Sequence, residues 1–349
     1  MKKTQTNPRT IGIIGGGQLG RMSCFSAHQL GFRTVIFTDQ KESPASFVTD
    51  KTIVADYSDQ NALRQFAELI DIATFEFENI PLETAEFVAS ITPLHPKPQV
   101  LKIAQHRILE KNFINSIGIQ TTEYAVSDFE KNLEKFVAAS SGAILKTATM
   151  GYDGKGQYVL KAGDSMPQLG SKEWILEKFC QFDSEISVMV ARSTTGEIKA
   201  YEPLTNIHKN GILDESHYPA KISDSLKIKA KTIAEKIALE LDLVGILAVE
   251  MFVVDEDLLV NEIAPRPHNS GHFSMNGCVT SQFEQMIRAI SGMPLGSTDF
   301  HSSGYMKNLI GNEVTDIEKF SQNPRAKIHL YGKEIIAEGR KMAHINFLK

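Results

Sequence analysis

Long apolar runs are missing from this 349-residue chain. No stretch approaches the ~18 consecutive apolar residues that a membrane span needs, so a membrane-embedded helical protein is not expected. Lys2 and Lys3 stand near the start, but the apolar run after them, Ile11 to Ile14, is cut off by glycines and is too short for a secretory signal. Cysteine is scarce. Cys24, Cys180 and Cys278 are scattered with no CxxC pair, which excludes a disulfide framework and fits a reducing, cytoplasmic compartment. Basic runs are lacking as well. With 37 Lys+Arg against 42 Asp+Glu the net charge is -5, so no nucleic-acid footprint is expected and any anionic ligand must be held by local donors. Repeats and low-complexity tracts are also absent. What remains, 42% hydrophobic and 23% charged residues, is ordinary globular composition, long enough for two or three domains with real cores.

Strand and helix alternate through the first hundred residues. Buried strands are expected at 10–14, 34–37, 52–55 and 72–77, with helical segments after the first and around 59–69 and 82–90, which predicts a Rossmann-like parallel sheet covered by helices. Pro93, Pro96 and Pro98 then punctuate the chain, and a boundary is set at residue 98. A single helix carrying Arg107 is expected over 98–116. From 122 to 202 the texture changes to short strands and turns. One amphipathic helix follows, from about Ser223 to Leu241, and then two strands, 245–254 and 258–263. A small strand-and-turn region begins near residue 296. The expected fold is therefore α/β with three units, 1–98, 99–295 with a lid around 122–202, and 296–349.

Gly15, Gly17 and Gly20 match GxGxxG, opening a helix straight after a strand, and Asp39 ends the next strand nineteen residues past Gly20. On their own these residues suggest a dinucleotide site, with a helix N-terminus for pyrophosphate and a carboxylate for ribose. A tight first turn needed only for helix–sheet packing, or a loop cradling a different phosphate, would leave the same signature.

Other motifs outweigh this one. Gly151-Tyr152-Asp153-Gly154-Lys155-Gly156-Gln157 joins two strand-like runs. Three glycines at a hairpin tip let the backbone lie over a triphosphate, and Lys146 at the end of the preceding strand can reach the phosphates. Glu250 and Glu262 lie on strands flanking Asp255-Glu256-Asp257. If those three residues form the loop, the two carboxylates face each other with Cβ atoms ~5 Å apart, which is destabilising unless a cation such as Mg²⁺ sits between them. A two-residue turn would put them on opposite faces. After Glu262 comes the polar run Ala264-Pro265-Arg266-Pro267-His268-Asn269-Ser270-Gly271-His272. Its prolines and glycine preclude a helix presenting both histidines to one ion, and it reads as a rigid loop with Arg266 aimed at a phosphate or acyl oxygen.

In this order, Lys146, GYDGKGQ, Glu177-Lys178-Phe179-Cys180, Glu185, Glu250 and NEIAPRPHNSGH resemble the ATP-grasp superfamily, and within it the N5-carboxyaminoimidazole ribonucleotide synthetases. GGGQLG, FEFEN (75–79) and the tail motifs around Tyr331-Gly332-Lys333 and Gly339-Arg340-Lys341-Met342 belong to the same pattern, so the resemblance covers nearly the whole chain. Met150, His106 and Ala343 depart from it, standing where Gly, Asp and Gly are usual, and none removes a chemical group invoked below.

The resemblance implies an ATP-grasp carbon–nitrogen ligase of purine biosynthesis. Such an enzyme makes N5-carboxyaminoimidazole ribonucleotide, ADP and phosphate from 5-aminoimidazole ribonucleotide, bicarbonate and ATP, by way of carboxyphosphate. It further implies Mg²⁺, a homodimer, and no nucleic-acid or membrane partner. Glu177, Lys178, Phe179 and Cys180 are then expected along the adenine and Glu185 at the ribose. Arg107, Lys146, His208 and the Gly151–Gln157 lid would hold phosphates, and Glu250 and Glu262 would hold the metal with Asn261 beside them. Gln18, Leu19 and Glu76 would line the substrate pocket, which reassigns the glycine loop. Arg266, His268, Asn269 and Ser270 would border the reacting centre, and Lys333, Arg340 and Lys341 the substrate's phosphate. Tyr152, Asp153 and His272 are candidates to orient the nucleotide and take the amine proton, with no ranking among them. Direct attack on carboxyphosphate and attack on CO₂ released from it both remain open. A relative using formate or another small acid would share the ATP half.

Overall fold

The computed structural model describes residues 9–150 and 156–349. Its first unit is β1 (Thr10–Ile14), α1 (Gln18–Gln29), β2 (Arg33–Thr38), β3 (Lys51–Val54), α2 (Gln60–Glu68), β4 (Ile72–Phe75) and α3 (Leu82–Ala89). The strands form an all-parallel sheet in the order β3-β2-β1-β4. Their near-continuous apolar runs suit burial on both faces. Asp59 caps α2 by accepting from the N–H groups of Asn61 and Ala62.

The helix expected over 98–116 is two helices, α4 (Pro98–Ala104) and α5 (Arg107–Ser116). The break is set by contacts with other parts of the chain. The Gln105 side chain reaches away to the carbonyls of Glu78 and Ile80, His106 is extended, and the Arg107 N–H is claimed by the Ala148 carbonyl at 2.9 Å. Arg107 therefore opens a helix instead of lying within one.

A small antiparallel sheet follows, from β5 (Tyr124–Ala125), β6 (Ala143–Thr147), β7 (Gln157–Leu160) and β8 (Trp174–Lys178), in the order β5-β8-β6-β7. It is covered by α6 (Phe129–Ala139), a helix that the strand-and-turn reading of 122–202 missed. Leu133 and Phe136 of α6 pack on Leu145, Leu160, Trp174 and Leu176.

The largest sheet holds β9 (Ser184–Arg192), β10 (Ile198–Ala200), β11 (Leu204–Lys209), β12 (Ile212–Tyr218), β13 (Gly245–Val254), β14 (Asp257–Ala264), β15 (Gly304–Ile310), β16 (Ala326–Leu330) and β17 (Lys341–Leu348). Its order is β14-β13-β9-β11-β12-β15-β17-β16, with β10 on β9. The C-terminal strands thus continue the central sheet edge to edge through β12 and β15. α7 (Asp224–Glu240) covers one face, laying Leu226, Ala230, Ala234 and Ile237 on Ile186, Val188, Leu247 and Val249. α8 (Ser274–Gly277) leads into α9 (Gln282–Ser291), which covers the other face with Met286, Ile287 and Ile290 on Met189, Ala191, Ile246 and Ala248. Each such side chain contributes about 1.5–3 kcal/mol by leaving water, so β9 and β13 are a rigid base for the site. The short α10 (Ile317–Ser321) lies beside β16 and β17. No helix among the described residues is long and apolar enough to cross a membrane.

Candidate active site

The β13–β14 hairpin closes through a two-residue turn, Asp255-Glu256, with Val254 paired to Asp257. The three-residue loop expected from sequence is therefore wrong. A bulge restores the pairing that loop was meant to give. Between Met251↔Val260 and Glu250↔Glu262 the register shifts by one, leaving Asn261 as the extra residue. Glu250 and Glu262 consequently stand directly opposite each other. Burial, and then the charge of Glu262, push the Glu250 carboxyl up to about 8. Arg107 reaches Glu262 at 3.3 Å, and His268 Nδ1 lies 3.5 Å from Glu250 Oε1. No cluster of three or more His, Cys, Asp or Glu able to hold a metal occurs among the described residues. The pair alone suits Mg²⁺, which takes one or two carboxylates and completes its shell with water and phosphate oxygens.

Two cavities adjoin this hairpin. One, about 280 Å³, is walled by Ile144, Lys146, Gln157, Phe182, Glu185, His208, Glu250, Phe252 and Asn261. The other, about 310 Å³, is walled by Gln18, Leu19, Glu76, Phe77, Glu78, Glu110 and Arg266. Arg107, Glu262, His268, Asn269 and Lys341 line both. Both amide atoms of Asn269 are buried there without a hydrogen-bond partner among the described residues, which leaves unused polar capacity at the shared wall.

In the first cavity Lys146 lies on β6 with its ammonium 3.0 Å from Glu177 Oε2. Lys111 of α5, fully buried, approaches the same oxygen at 3.3 Å and donates to Thr122 Oγ1 at 3.0 Å. Burial opposes ionisation of Glu177, yet Lys111 and Lys146 hold it down at about 2. Two ammonium groups thus share one carboxylate, leaving positive charge for a phosphate. Glu185 is ion-paired with His208 across β9 and β11. Burial would lower the His208 imidazole, but Glu185 beside it raises it. Lys178, Phe179 and Cys180 continue from β8, with the Phe179 N–H on the Gly142 carbonyl, and do not line either cavity. The stacked pair Phe182 and Phe252, centroids 4.6 Å apart, does line one. Gly156, at φ +74°, closes against Thr147, where a Cβ would meet Oγ1 at 2.8 Å. Gly151, Tyr152, Asp153, Gly154 and Lys155 lie outside the described residues. Met150 has φ +61°, a left-handed conformation that favours the glycine usual there.

In the second cavity the glycine loop is already occupied. The buried carboxylate of Glu76 accepts the N–H groups of Gly17 and Gly20, the latter at 2.6 Å, at the start of α1. The donors that would hold a pyrophosphate are used by the protein itself, which removes the dinucleotide reading. Arg266 is gripped by both oxygens of Glu78, with Nη2 to Oε1 at 2.8 Å. Burial alone would raise the Glu78 carboxyl, but the guanidinium overrides it and holds it below the usual range. His268 turns its Nδ1 to Ser270 Oγ at 2.9 Å. Burial, and then the charge of Arg266, keep its imidazole neutral, well below the ordinary value. Ser270 is buried behind it and lines neither cavity. Lys333 donates to the Lys341 carbonyl at 2.7 Å, and Arg340 sits on a surface turn donating to the Ile335 carbonyl at 2.8 Å.

His272 is a correction. The chain turns as a 3-10 helix over Asn269–Phe273 and carries this ring away from the cavities. It is fully buried and stacks on His344 at 4.5 Å, which stacks on His329 at 4.4 Å. It lines neither cavity. Of the departures from the family pattern, His106 pairs with Glu173 at 3.0 Å and Ala343 is buried in β17. Sequence reading missed Lys111, Glu78, Phe182 and Phe252. Glu78 was within reach, because it stands in the FEFEN motif two residues from Glu76.

Two antiparallel sheets, an ammonium-lined cavity and opposed carboxylates define the class, an ATP-grasp ligase. Family models agree along the chain: a ribonucleotide synthetase preATP-grasp domain over residues 8–105, an ATP-grasp domain over 112–283, and a phosphoribosylaminoimidazole carboxylase C-terminal domain over 304–349. The N5-carboxyaminoimidazole ribonucleotide synthase of Bacillus subtilis is 45% identical over 346 residues, covering 97% of this chain and 91% of that protein. The crystal structure of an N5-carboxyaminoimidazole ribonucleotide synthetase in complex with ADP is 40% identical with a TM-score of 0.92, covering 100% of this chain and 94% of that one. An Aspergillus clavatus N5-carboxyaminoimidazole synthase in complex with ADP and 5-aminoimidazole ribonucleotide has a TM-score of 0.90 at 29% identity, covering 98% and 94%. The chain belongs to the N5-carboxyaminoimidazole ribonucleotide synthase family. It is an ATP-dependent ligase that carboxylates 5-aminoimidazole ribonucleotide in purine biosynthesis.

Proposed function

We propose that bicarbonate is the carboxyl donor and that it is activated where the two cavities meet. One observation carries this reading: Arg107, Glu262, His268, Asn269 and Lys341 line both cavities, so groups bound on either side converge on one polar wall. The adenine rests towards Ile144, Phe182 and Phe252, the ribose at Glu185 and His208, and the phosphates at Lys146, Arg107, Gln157 and residues 151–155. 5-Aminoimidazole ribonucleotide occupies the other cavity against Gln18, Leu19 and Glu76, with Lys333 and Arg340 on its phosphate side and Lys341 at the wall the two cavities share. The Aspergillus clavatus relative, with ADP and this nucleotide in one complex, supports the pairing of ligands.

Bicarbonate is a poor electrophile, being anionic with hydroxide as its leaving group. Its oxygen attacks the γ-phosphorus and ADP leaves, giving carboxyphosphate, whose leaving group is phosphate. The nucleotide's amine then attacks the carbon, the C–O bond to phosphate breaks, and the nitrogen gives up a proton. Arg266, held by Glu78, offers its remaining edge to the carboxyl oxygens, and neutral His268 and Asn269 orient them without adding charge. Mg²⁺ bound by Glu250 and Glu262 would neutralise charge on the ATP phosphates. Exclusion of water from the shared wall would protect carboxyphosphate, which water destroys. The same reading takes a cytoplasmic setting and a homodimer, the latter checked by sedimentation.

The test is ADP release with each component omitted in turn. ADP formation should require both the nucleotide and bicarbonate. An undiminished rate in CO₂-free buffer, or formate replacing bicarbonate, would overturn the assignment.

A further inference from the structure

The loop carrying His268 and Asn269 has little support of its own. Pro265 and Pro267 have no N–H to give, and within the loop the backbone bonds are Arg266 N–H to the Ala264 carbonyl and Gly271 N–H to the His268 carbonyl. The main tether comes from Gln282, the first residue of α9, fully buried and reaching neither cavity. Its Oε1 accepts the His268 N–H at 2.8 Å, and its Nε2 donates to the His268 carbonyl at 2.8 Å. The amide thus closes on this peptide as a neighbouring strand would. Those two backbone partners fix which end is oxygen and which nitrogen. The second Nε2 hydrogen goes to His272 Nδ1 at 3.0 Å, which leaves the ring proton of His272 on Nε2. Beneath it, the Gln282 N–H reaches Ser274 Oγ at 2.9 Å, and that hydroxyl donates to the Gly271 carbonyl at 2.6 Å. The fit is tight, since a Cβ on Gly271 would lie 2.6 Å from Gln282 Oε1.

We infer that Gln282 is a positioning residue for carboxyl transfer, holding the His268 peptide so that the His268 and Asn269 side chains stay registered at the wall shared by the two cavities. The inference rests on the reading of His268 and Asn269 as partners of the carboxyl group. Gln282 touches no reactant. Its whole hydrogen-bonding capacity is spent on the loop, and displacement of the loop by about 1 Å is enough to cost on the order of 10²-fold in rate.

The test is steady-state kinetics of Gln282→Leu, which is nearly isosteric and removes both loop bonds, together with His268→Ala and the double variant. Gln282→Leu should lower kcat/KM for bicarbonate about 10- to 100-fold. The Kd of Mg-ATP, titrated without nucleotide, should stay within about twofold. In the His268→Ala background the same substitution should cost less than it does in the wild type, because one of the two side chains it positions is gone. Normal bicarbonate kinetics in folded Gln282→Leu would overturn the inference, and so would an undiminished loss in the His268→Ala background, which marks a general packing effect. His268→Ala with wild-type bicarbonate kinetics would instead overturn the site reading itself. If Gln282→Leu does not fold, Gln282→Glu decides. Its protonated carboxyl can accept the His268 N–H and donate to the His268 carbonyl, giving up only the bond to His272, so its activity relative to wild type should recover as pH falls. A ratio that is flat with pH would reject the role.

Discussion

Glu250 and Glu262 are direct cross-strand neighbours because Asn261 bulges out of β14 between them and the turn. Two carboxylates so placed repel, and burial together with the charge of Glu262 pushes the Glu250 carboxyl up to about 8. Glu262 has a partial remedy in Arg107 at 3.3 Å. The two sites should therefore respond differently to neutralisation. Without metal, Glu250→Gln should be neutral or stabilising by a few tenths to about 1 kcal/mol, as for any relief of opposed like charges. Glu262→Gln should gain less, since it also deprives Arg107 of its partner. Both should abolish turnover at saturating Mg²⁺. Melting curves with EDTA and an ADP-release assay check this, and full activity in either variant would remove the bridging-metal assignment.

The start of α1 offers a second test. A Cβ on Gly17 would lie 2.6 Å from Glu76 Oε1, so Gly17→Ala should push the carboxylate off its two N–H donors. The expected loss is about 1–3 kcal/mol in urea denaturation. Because Glu76 fills this helix terminus, NADH should give no thermal protection to the wild type, whereas Mg-ATP should. Protection by NADH alone would reinstate a dinucleotide site.

Lys111→Met should separate fold from ligand effects at the buried cation pair. Losing one of two lysines from a buried carboxylate costs about 3–5 kcal/mol. It also leaves Lys146 balanced by Glu177 instead of carrying surplus charge towards ATP. The Kd of Mg-ATP should rise about tenfold, equivalent to about 1.4 kcal/mol. Isothermal titration measures it, and an unchanged Kd would confine Lys111 to a structural role.

Local pattern was sufficient for much of this molecule. The parallel strands of the first unit are short apolar runs, and the glutamates of β13 and β14 stand a turn apart in sequence, so both were legible from neighbours along the chain. What escaped depends on distant partners. The break before Arg107 is set by Gln105 bonding to Glu78 and Ile80, and by Ala148 taking the Arg107 N–H. The bulge at Asn261 has no local signature, and it corrected a wrong turn length by restoring the parity. Lys111 carries no local mark of its role in sequence, because the fold alone brings Glu177 and Thr122 to it. His272, so close in sequence to His268, was drawn into a histidine stack by residues some seventy positions later, at His344.

The Glu78–Arg266 pair predicts a pH dependence. Glu78 titrates below its unfolded value, so its stabilising contribution is fully present above the ordinary carboxylate pKa of about 4.3 and is lost as pH falls through the lower folded value. The side chain is 25% exposed, which limits the contribution to about 1–2 kcal/mol. Glu78→Gln should therefore be destabilised by that amount at pH 7, with the gap from wild type closing in acid. Denaturant titrations at several pH values test it. A gap that stayed constant into strong acid would mean that the residue acts through packing and not through charge.

The neighbours Arg340 and Lys341 should fail in different ways. Lys341 is the first residue of β17 and lines both cavities, at the wall where the proposed function brings the phosphoryl, carboxyl and amine groups together. Arg340 precedes it on a surface turn. Its carbonyl accepts the Gly311 N–H at 2.8 Å, and its guanidinium donates to Ile335. A cation at the convergence point interacts with charge that develops during reaction, so its loss should appear in kcat. A cation at the rim can meet only the substrate's remote phosphate, in water-screened surroundings, and its loss should appear in KM for that substrate alone. Lys341→Met is expected to lower kcat about 10²-fold, or about 2.7 kcal/mol of transition-state binding, with both bicarbonate and nucleotide saturating. Arg340→Ala is expected to raise KM for 5-aminoimidazole ribonucleotide about tenfold, with kcat and Mg-ATP affinity close to wild type. Initial rates with each substrate varied in turn measure both. If Arg340→Ala lowers kcat as much as Lys341→Met does, the turn closes onto the reacting groups and the division of labour argued here is wrong.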